Sequence, residues 1–210
     1  MTRKLIVSQF LSLDGVMQAP GYPDEDRRGG FEQGGWITAY FDETLGAAIT
    51  STLAETDVLL LGRGTYEIFS AHWPKQPPQD PLASRFNELA KVVVSTTMRE
   101  PLEWRNSTLI STDPAREIAR LKERPGRSIT VLGSGELVQT LMRHGSVDEY
   151  RLMIHPIVLG SGTRMFRESS SPVRLELIES KATSTGVLIV TYRPTSALPE
   201  TGPQTSGARP

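Results

Sequence analysis

Two short segments of this chain carry residue types that bind phosphate groups in many proteins. Residues 56–67 read TDVLLLGRGTYE, and residues 128–142 read SITVLGSGELVQTLM. In each, an apolar run typical of a strand buried on both faces stops at Gly-x-Gly and is followed by a helical pattern. Glycine lets the backbone turn and approach a ligand, and a helix N-terminus beside an arginine binds anions. Each segment therefore predicts an anion site, with an ordinary strand-to-helix turn as the alternative.

The first junction consists of Gly62, Arg63 and Gly64, with Thr65 as the predicted N-cap of a helix that runs to Phe69. Its glycine spacing is not the G-x-G-x-x-G of a standard Rossmann fold, and the chain has no G-x-x-x-x-G-K-[ST] loop. The pattern therefore argues against both a standard Rossmann domain and a P-loop NTPase. Two such junctions in one domain could bind one ligand that carries two phosphate groups.

The second junction consists of Gly133, Ser134 and Gly135, followed by a predicted helix over residues 136–142 whose Leu137 faces the core. Glu136 lies in the first turn of this helix. A carboxylate there interacts favourably with the helix dipole, but it competes with a bound phosphate. We therefore expect the side chain of Glu136 to point away from the ligand.

Composition excludes several other classes of protein. The chain has 210 residues, a net charge of −1 and no cysteine, which excludes disulfide scaffolds, thiolate metal sites and thiol catalysis. No apolar run approaches the ~20 residues of a membrane span, and no basic face suggests nucleic acid. The three histidines show no metal-ligand spacing. We expect a cytoplasmic protein that binds a small molecule, with no metal, membrane or nucleic-acid partner.

Alternation of strand and helix patterns predicts an α/β fold that positions the two junctions. Strands are predicted over residues 4–13, 58–61, 92–97, 108–111, 129–132 and 147–156, with an antiparallel pair at 173–183 and 186–192. Helices are predicted over residues 42–54, 65–69, 82–89 and 136–142, and from an N-cap at Asp113 followed by Pro114. We expect one domain over residues 1–193 and a disordered polar tail over residues 194–210.

Several motifs in order resemble one family. They are SxDG near the N-terminus, LGRGTYE, VVVSTT, VLGSGELV and DEYRLMIHPIVLGSGTRMF. Together they resemble the dihydrofolate-reductase-like fold, and more closely the stand-alone relatives of the C-terminal reductase domain of the bifunctional riboflavin-biosynthesis enzyme. The resemblance covers residues 3–193. It implies a three-layer fold with a mostly parallel central sheet, an antiparallel C-terminal hairpin and helices on both faces. It also implies a homodimer.

The resemblance further implies that the ligand is NADPH. It assigns the cofactor 2′-phosphate to Arg63, Ser95 and Thr96, and a guanidinium with hydroxyl donors would select the phosphorylated cofactor over NADH. An ST turn is the alternative role of Ser95 and Thr96. Dihydrofolate reductases have two adjacent glycines joined by a cis peptide at the second junction. The bond between Gly133 and Ser134 cannot be assumed cis, because a non-proline cis bond costs about 3 kcal/mol. The full set of predicted cofactor-binding residues is Val16, Gly62, Arg63, Gly64, Thr65, Ser95, Thr96, Gly133, Ser134, Gly135, Glu136 and Leu137.

For the reaction itself the resemblance implies hydride transfer, with the nicotinamide near Val16 and Asp14. Asp14 is predicted as the proton donor and a substrate contact. The alternatives are a bound water, or a plain turn role for Asp14. Residues 21–36 form a long loop of the kind that acts as a lid, a binding loop or a disordered segment. Beyond it, Trp36 and Phe41 are predicted to contact a flat substrate, with Trp36 the better candidate. The alternative is that they are the first core residues of the helix that follows.

The function predicted on this basis is an NADPH-dependent reductase of a small heterocyclic or carbonyl substrate. The helix predicted over residues 42–54 has no acid on its pocket-facing part, whereas dihydrofolate reductases carry a carboxylate there. This difference argues against dihydrofolate as the substrate. A non-catalytic NADP(H)-binding protein and a true dihydrofolate reductase are the two alternatives.

Overall fold

The computed structural model describes residues 2–167 and 172–196. Within them, one eight-stranded sheet has the strand order β4-β3-β2-β5-β1-β6-β8-β7. The strands are β1 Lys4–Ser12, β2 Thr56–Gly62, β3 Ala90–Val94, β4 Ser107–Ile110, β5 Ser128–Leu132, β6 Glu149–His155, β7 Leu175–Ala182 and β8 Leu188–Pro194. The helices are α1 Glu43–Glu55, α2 Arg63–His72, α3 Pro81–Glu88, α4 Pro114–Glu123 and α5 Gly135–Arg143.

The sheet has the mixed character that the sequence predicts. Strands β1 to β6 pair in parallel, whereas β8 pairs antiparallel with both β6 and β7. The predicted α/β class, the mostly parallel sheet and the C-terminal hairpin are confirmed. Most of the predicted disordered tail, from residue 197 on, lies outside the described residues.

Helices cover both faces of the sheet because the central strands alternate between two cores. Leu60 of β2 packs with Ile118 of α4 and Val138 of α5 in one core. Its neighbours Leu59 and Leu61 point the other way, into a core that α1, α2 and α3 cover. The chain therefore forms three layers. No helix in the described ranges has the length and apolar character needed to cross a bilayer.

Two predicted element boundaries are wrong in ways that matter for the site. Helix α2 begins at Arg63 with Gly62 as its N-cap, so Thr65 lies in the first turn and is not the cap. Strand β3 ends at Val94, and the hydroxyl of Ser95 accepts the N–H groups of Thr97 and Met98. The ST turn that was the alternative for Ser95 is therefore present.

Candidate active site

The two glycine junctions meet at one edge of the sheet because β2 and β5 are neighbours. The N–H of Gly62 donates to Oγ of Ser134 at 2.9 Å. In the other direction, the N–H of Ser134 donates to Oγ1 of Thr65 at 2.8 Å. The proximity of the junctions agrees with the sequence argument, but these two amides are bonded within the protein. An anion would have to use the amides further along each helix.

Helix α5 offers such amides at its N-terminus. The first-turn N–H groups of Gly135, Glu136 and Leu137 have no partner inside a helix that starts at Gly135, and no side chain caps it. The side chain of Glu136 is 83% exposed and its carboxylate pairs with Arg167, so the expectation that it points away from a ligand stays a prediction. The Arg167 guanidinium also lies 3.6 Å from the position of a Cβ on Gly135. It would add positive charge beside the open amides if a phosphate took the place of the Glu136 carboxylate, and the sequence analysis did not identify it.

Backbone conformation at the second junction depends on glycine. Gly133 and Ser134 adopt left-handed φ angles of 55° and 58°. A Cβ on Gly133 would lie 2.8 Å from Oγ1 of Thr65, so only glycine fits between the junctions. The Gly133 carbonyl accepts from Nε2 of Gln9 at 2.7 Å. The peptide from Gly133 to Ser134 is trans, because the only cis bond in the described chain joins Glu100 to Pro101.

The residues predicted for the 2′-phosphate lie at the ends of adjacent strands. Gly62 pairs with Val94 in the β2–β3 ladder, so Arg63 and Ser95 follow neighbouring strand ends. The guanidinium of Arg63 is half-exposed and 3.8 Å from the Glu67 carboxylate. An exposed pair of this kind contributes only about 0–1 kcal/mol, so a phosphate can displace it. The role of Arg63 and Ser95 in binding the 2′-phosphate stays a prediction.

A cavity of about 430 Å³ extends from the second junction to the space between α1 and α2. Its volume lies within the range typical of small-molecule sites. At one end are Thr65, Gly133, Ser134 and Gly135. The other end is largely apolar, and its walls come from β1, β6, α1 and α2. Those walls include Phe10, Met153, Ile49, Leu53, Ile68 and Phe69.

Residues 17–28 cover the cavity as a lid. Tyr22 stacks on His72 of α2, with ring centroids 5.0 Å apart and planes inclined by 14°. Arg28 lies so close to the first turn of α2 that a Cβ on Gly64 would be 2.7 Å from its Nη1. Gln18 stabilises the lid, because its Nε2 donates to two backbone carbonyls of the same segment. The long loop is therefore ordered against the cavity, which fits the lid interpretation of its length.

Of the two aromatic residues predicted to contact the substrate, the structure favours Phe41 over Trp36. Trp36 is buried in a small core with Val16 and Phe31, and its indole N–H donates to the Gln18 carbonyl at 2.8 Å. It does not line the cavity, so the structure argues against Trp36 as a substrate contact. Phe41 lines the cavity and is 56% exposed. The residue rated second in the sequence is thus the one that faces the pocket.

Both carboxylate oxygens of Asp14 accept hydrogen bonds from other parts of the protein. Its Oδ1 accepts from Oγ of Ser12 and the N–H of Leu159, and its Oδ2 accepts from the N–H of Gly160 and from Arg164. These donors, led by Ser12, hold its pKa well below the usual range of an aspartate. Asp14 is outside the cavity lining. The prediction that it donates a proton is therefore corrected: the carboxylate fixes the turn after β1 to residues 159–164.

Val16 is fully buried and pairs with Arg164 across a β-bridge. It does not line the cavity, but the next residue, Met17, does. The sulfur of Met17 lies 3.2 Å from the position of a Cβ on Gly135. The segment that follows β1 therefore adjoins the N-terminus of α5, as the predicted nicotinamide site requires.

This combination of features defines a dihydrofolate-reductase-like α/β protein with a ligand cleft at the carboxyl ends of its parallel strands. The sequence profile of the RibD C-terminal domain matches residues 3–189. The chain belongs to that family. Among curated proteins it is similar to YyaP of Bacillus subtilis, with 28% identity over 193 residues that cover 90% of this chain and 94% of YyaP. It is also similar to YwjB of the same organism, with 31% identity over 125 residues, 60% of this chain and 67% of YwjB.

Solved structures show the same fold at low sequence identity. A riboflavin biosynthesis protein from Shewanella superposes with a TM-score of 0.64 at 21% identity, covering 93% of this chain and 99% of that one. A deaminase and uracil reductase from Thermotoga maritima gives 0.61 at 16% identity, covering 92% of this chain and 57% of the larger protein. A pyrimidine reductase-like protein from Corynebacterium diphtheriae gives 0.57 at 15% identity, with 93% of both chains covered.

Proposed function

We propose that this protein is an NADPH-dependent reductase of a small nitrogen heterocycle of the pyrimidine class. One observation carries the proposal: a single cavity runs from the second junction, beside the open helix end of α5, to an apolar pocket under a lid. A dinucleotide cofactor and a flat substrate need this arrangement, because the reacting carbons must meet away from water. Membership of the RibD C-terminal family supports reductase chemistry.

The residues fit the cofactor at its pyrophosphate. The first-turn amides of α5 supply positive potential, and the guanidinium of Arg167 would add to it once a phosphate replaces the exposed Glu136 carboxylate as its partner. Arg63 at the start of α2 would select the 2′-phosphate, together with Ser95 and Thr96 at the adjacent strand end. NADPH supplies the hydride, and the protein supplies orientation and exclusion of water.

Helix α1 gives the substrate end a different chemistry from that of a dihydrofolate site. The cavity-lining residues of α1 are Ile49, Thr52 and Leu53, and none is an acid. This observation favours a pyrimidine-like substrate over dihydrofolate. Phe41 at the cavity rim offers an aromatic face on which a planar ring can stack.

Turnover measurements test this proposal. Purified protein is mixed with NADPH and, separately, with 5-amino-6-(5-phosphoribosylamino)uracil, other pyrimidines, dihydrofolate and a panel of carbonyl compounds. Loss of reduced-nicotinamide absorbance is followed in each mixture. Oxidation with a pyrimidine supports the proposal. Oxidation only with dihydrofolate would make the protein a dihydrofolate reductase, and tight NADPH binding with no oxidation would make it a non-catalytic binding protein.

We also propose that the protein is a homodimer that pairs through the β7–β8 hairpin. Within residues 2–167 and 172–196, β7 is an edge strand of the sheet, and no strand pairs with its outer side. The exposed fractions of Leu177 and Leu188 are 52% and 47%, and a second copy of the hairpin would cover both. Light scattering should give twice the monomer mass for wild type and the monomer mass for Leu177→Lys. A monomeric wild type refutes the dimer.

A further inference from the structure

One carboxylate in the cavity is used by none of the roles above. Glu25 belongs to the lid and lines the cavity. Oε2 of Glu25 accepts the N–H of Gly21 at 2.5 Å and the N–H of Tyr22 at 3.4 Å. Neither bond involves Oε1, and no other hydrogen bond to Oε1 occurs in the described part of the chain. Backbone amides thus hold one oxygen of Glu25 while the other stays available.

The surroundings of Glu25 leave its carboxyl without a cationic partner. The charged and titratable side chains that share the cavity wall are those of Tyr22, Asp26, Arg28 and His72. Arg28 is paired with Asp26, with its Nε 2.7 Å from Oδ1, and the ring of His72 is stacked on that of Tyr22. α1 and β1 contribute only uncharged residues to this wall.

We propose that Glu25 is the general acid of the reduction, which rests on the proposed reductase function. NADPH delivers the hydride to the carbon of a C=N or C=O bond in the substrate. The π-electron pair of that bond moves to its nitrogen or oxygen, which takes the proton from Oε1 of Glu25. Glu25 is left as a carboxylate and regains a proton from solvent. One hydride and one proton are thus added to the substrate, and NADP⁺ is formed.

The protonation state of Glu25 suits this role. Burial raises the pKa of its carboxyl above the usual glutamate value, the two backbone hydrogen bonds lower it by less, and the nearby Asp26 carboxylate raises it. Asp26 itself has a lowered pKa and stays charged through its bonds to Arg28. A carboxyl with a raised pKa keeps its proton at higher pH, as a general acid near neutrality must.

The first test is a carboxyl titration of the cofactor-free protein. Glutamate labelled with ¹³C at the side-chain carboxyl is incorporated, and the resonance absent from Glu25→Gln is the Glu25 signal. We expect this signal to titrate clearly above the ordinary glutamate value of about 4.3. A Glu25 signal that titrates at or below that value overturns the proposal.

The second test uses whichever substrate the wild type reduces. General acid catalysis is worth about 10² to 10⁴ in rate, so Glu25→Gln should lower kcat at least about 100-fold without changing the Kd for NADPH. The wild-type decline of kcat/KM with rising pH should disappear in Glu25→Gln. Asp24→Asn is the matched control, since its carboxylate is on the same loop but outside the cavity wall, and it should keep wild-type rates and pH profile.

The outcomes separate the two proposals. Active wild type with an unchanged rate and pH profile in Glu25→Gln overturns the acid role and leaves the reductase proposal standing. If the decline of kcat/KM with rising pH persists in Glu25→Gln but is lost in His72→Asn, the proton comes from His72, and the proposal for Glu25 is overturned. Wild type that reduces nothing in the panel refutes the reductase function, and the acid role falls with it.

Discussion

Replacing Gly133 by alanine probes the point where the two junctions touch. The added Cβ would lie 2.8 Å from Oγ1 of Thr65 at a residue whose φ is +55°. The left-handed backbone costs about 1–2 kcal/mol for a residue with a Cβ. Moving Thr65 aside also breaks its bond from the Ser134 N–H, which adds about 1–3 kcal/mol because the donor is left unsatisfied. We expect Gly133→Ala to lower the free energy of unfolding by about 2–5 kcal/mol.

Gly145 provides a matched control. Its φ is +58°, and a Cβ added there would have no heavy atom within 4 Å. Gly145→Ala is therefore destabilised only by the left-handed backbone. The difference in unfolding free energy between the two variants isolates the contact with Thr65. Urea unfolding of wild type and both variants, analysed with a common m-value, measures that difference. Equal destabilisation by the two substitutions would refute the account of how the junctions pack.

Three further substitutions have definite expected outcomes. Arg63→Ala should weaken NADPH binding about 10- to 100-fold and NADH binding little, measured by calorimetry, since it removes charge-assisted bonds to the 2′-phosphate alone; equal losses would refute that role. Asp14→Asn should lower stability by about 2–3 kcal/mol at pH 7 in urea unfolding. This deficit should shrink as pH falls below about 4, because the stabilisation from a depressed carboxyl pKa is present above the unfolded value and is lost as the carboxylate is protonated; a deficit independent of pH would contradict the assignment. Lys91 is fully buried and donates to the carbonyls of Phe86, Asn87 and Leu89, so Lys91→Met should cost about 2 kcal/mol. Burial lowers the Lys91 pKa to about 8. The unfolded chain therefore binds this proton more tightly, and wild-type stability relative to Lys91→Met should rise as pH increases from about 8 towards 10.5; a flat or falling difference would contradict it.

Local patterns predicted the fold because each strand and helix carries its own signal. The Asp113 cap with Pro114 at the first helical position is observed as predicted. The helix predicted from residue 42 is also present, and the side chain of Asp42 caps it by accepting the Leu45 N–H. The meeting of the two junctions followed from parallel strands that end in glycine, since such ends share one edge of a sheet. These inferences need only short-range sequence and general topology.

The site predictions that were wrong concern residues whose roles depend on contacts between segments far apart in sequence. Whether Asp14 is a free acid depends on the residues around 160, which are far away in sequence and bring it two backbone amides. Trp36 and Phe41 look alike in a sequence, and only the folded loop decides which one is buried. Glu25 lies within the long loop predicted over residues 21–36, and nothing in the local sequence shows that this loop turns its carboxylate into the cavity.

The central claim is that the open amides of α5 bind the pyrophosphate of NADPH. Titration of ¹⁵N-labelled protein with NADPH, followed by amide chemical shifts, tests this directly. We predict that the largest shifts occur at Gly135, Glu136 and Leu137, with smaller ones at the start of α2 around Gly64. Saturable binding whose shifts lie elsewhere and leave these three amides unchanged would contradict the account.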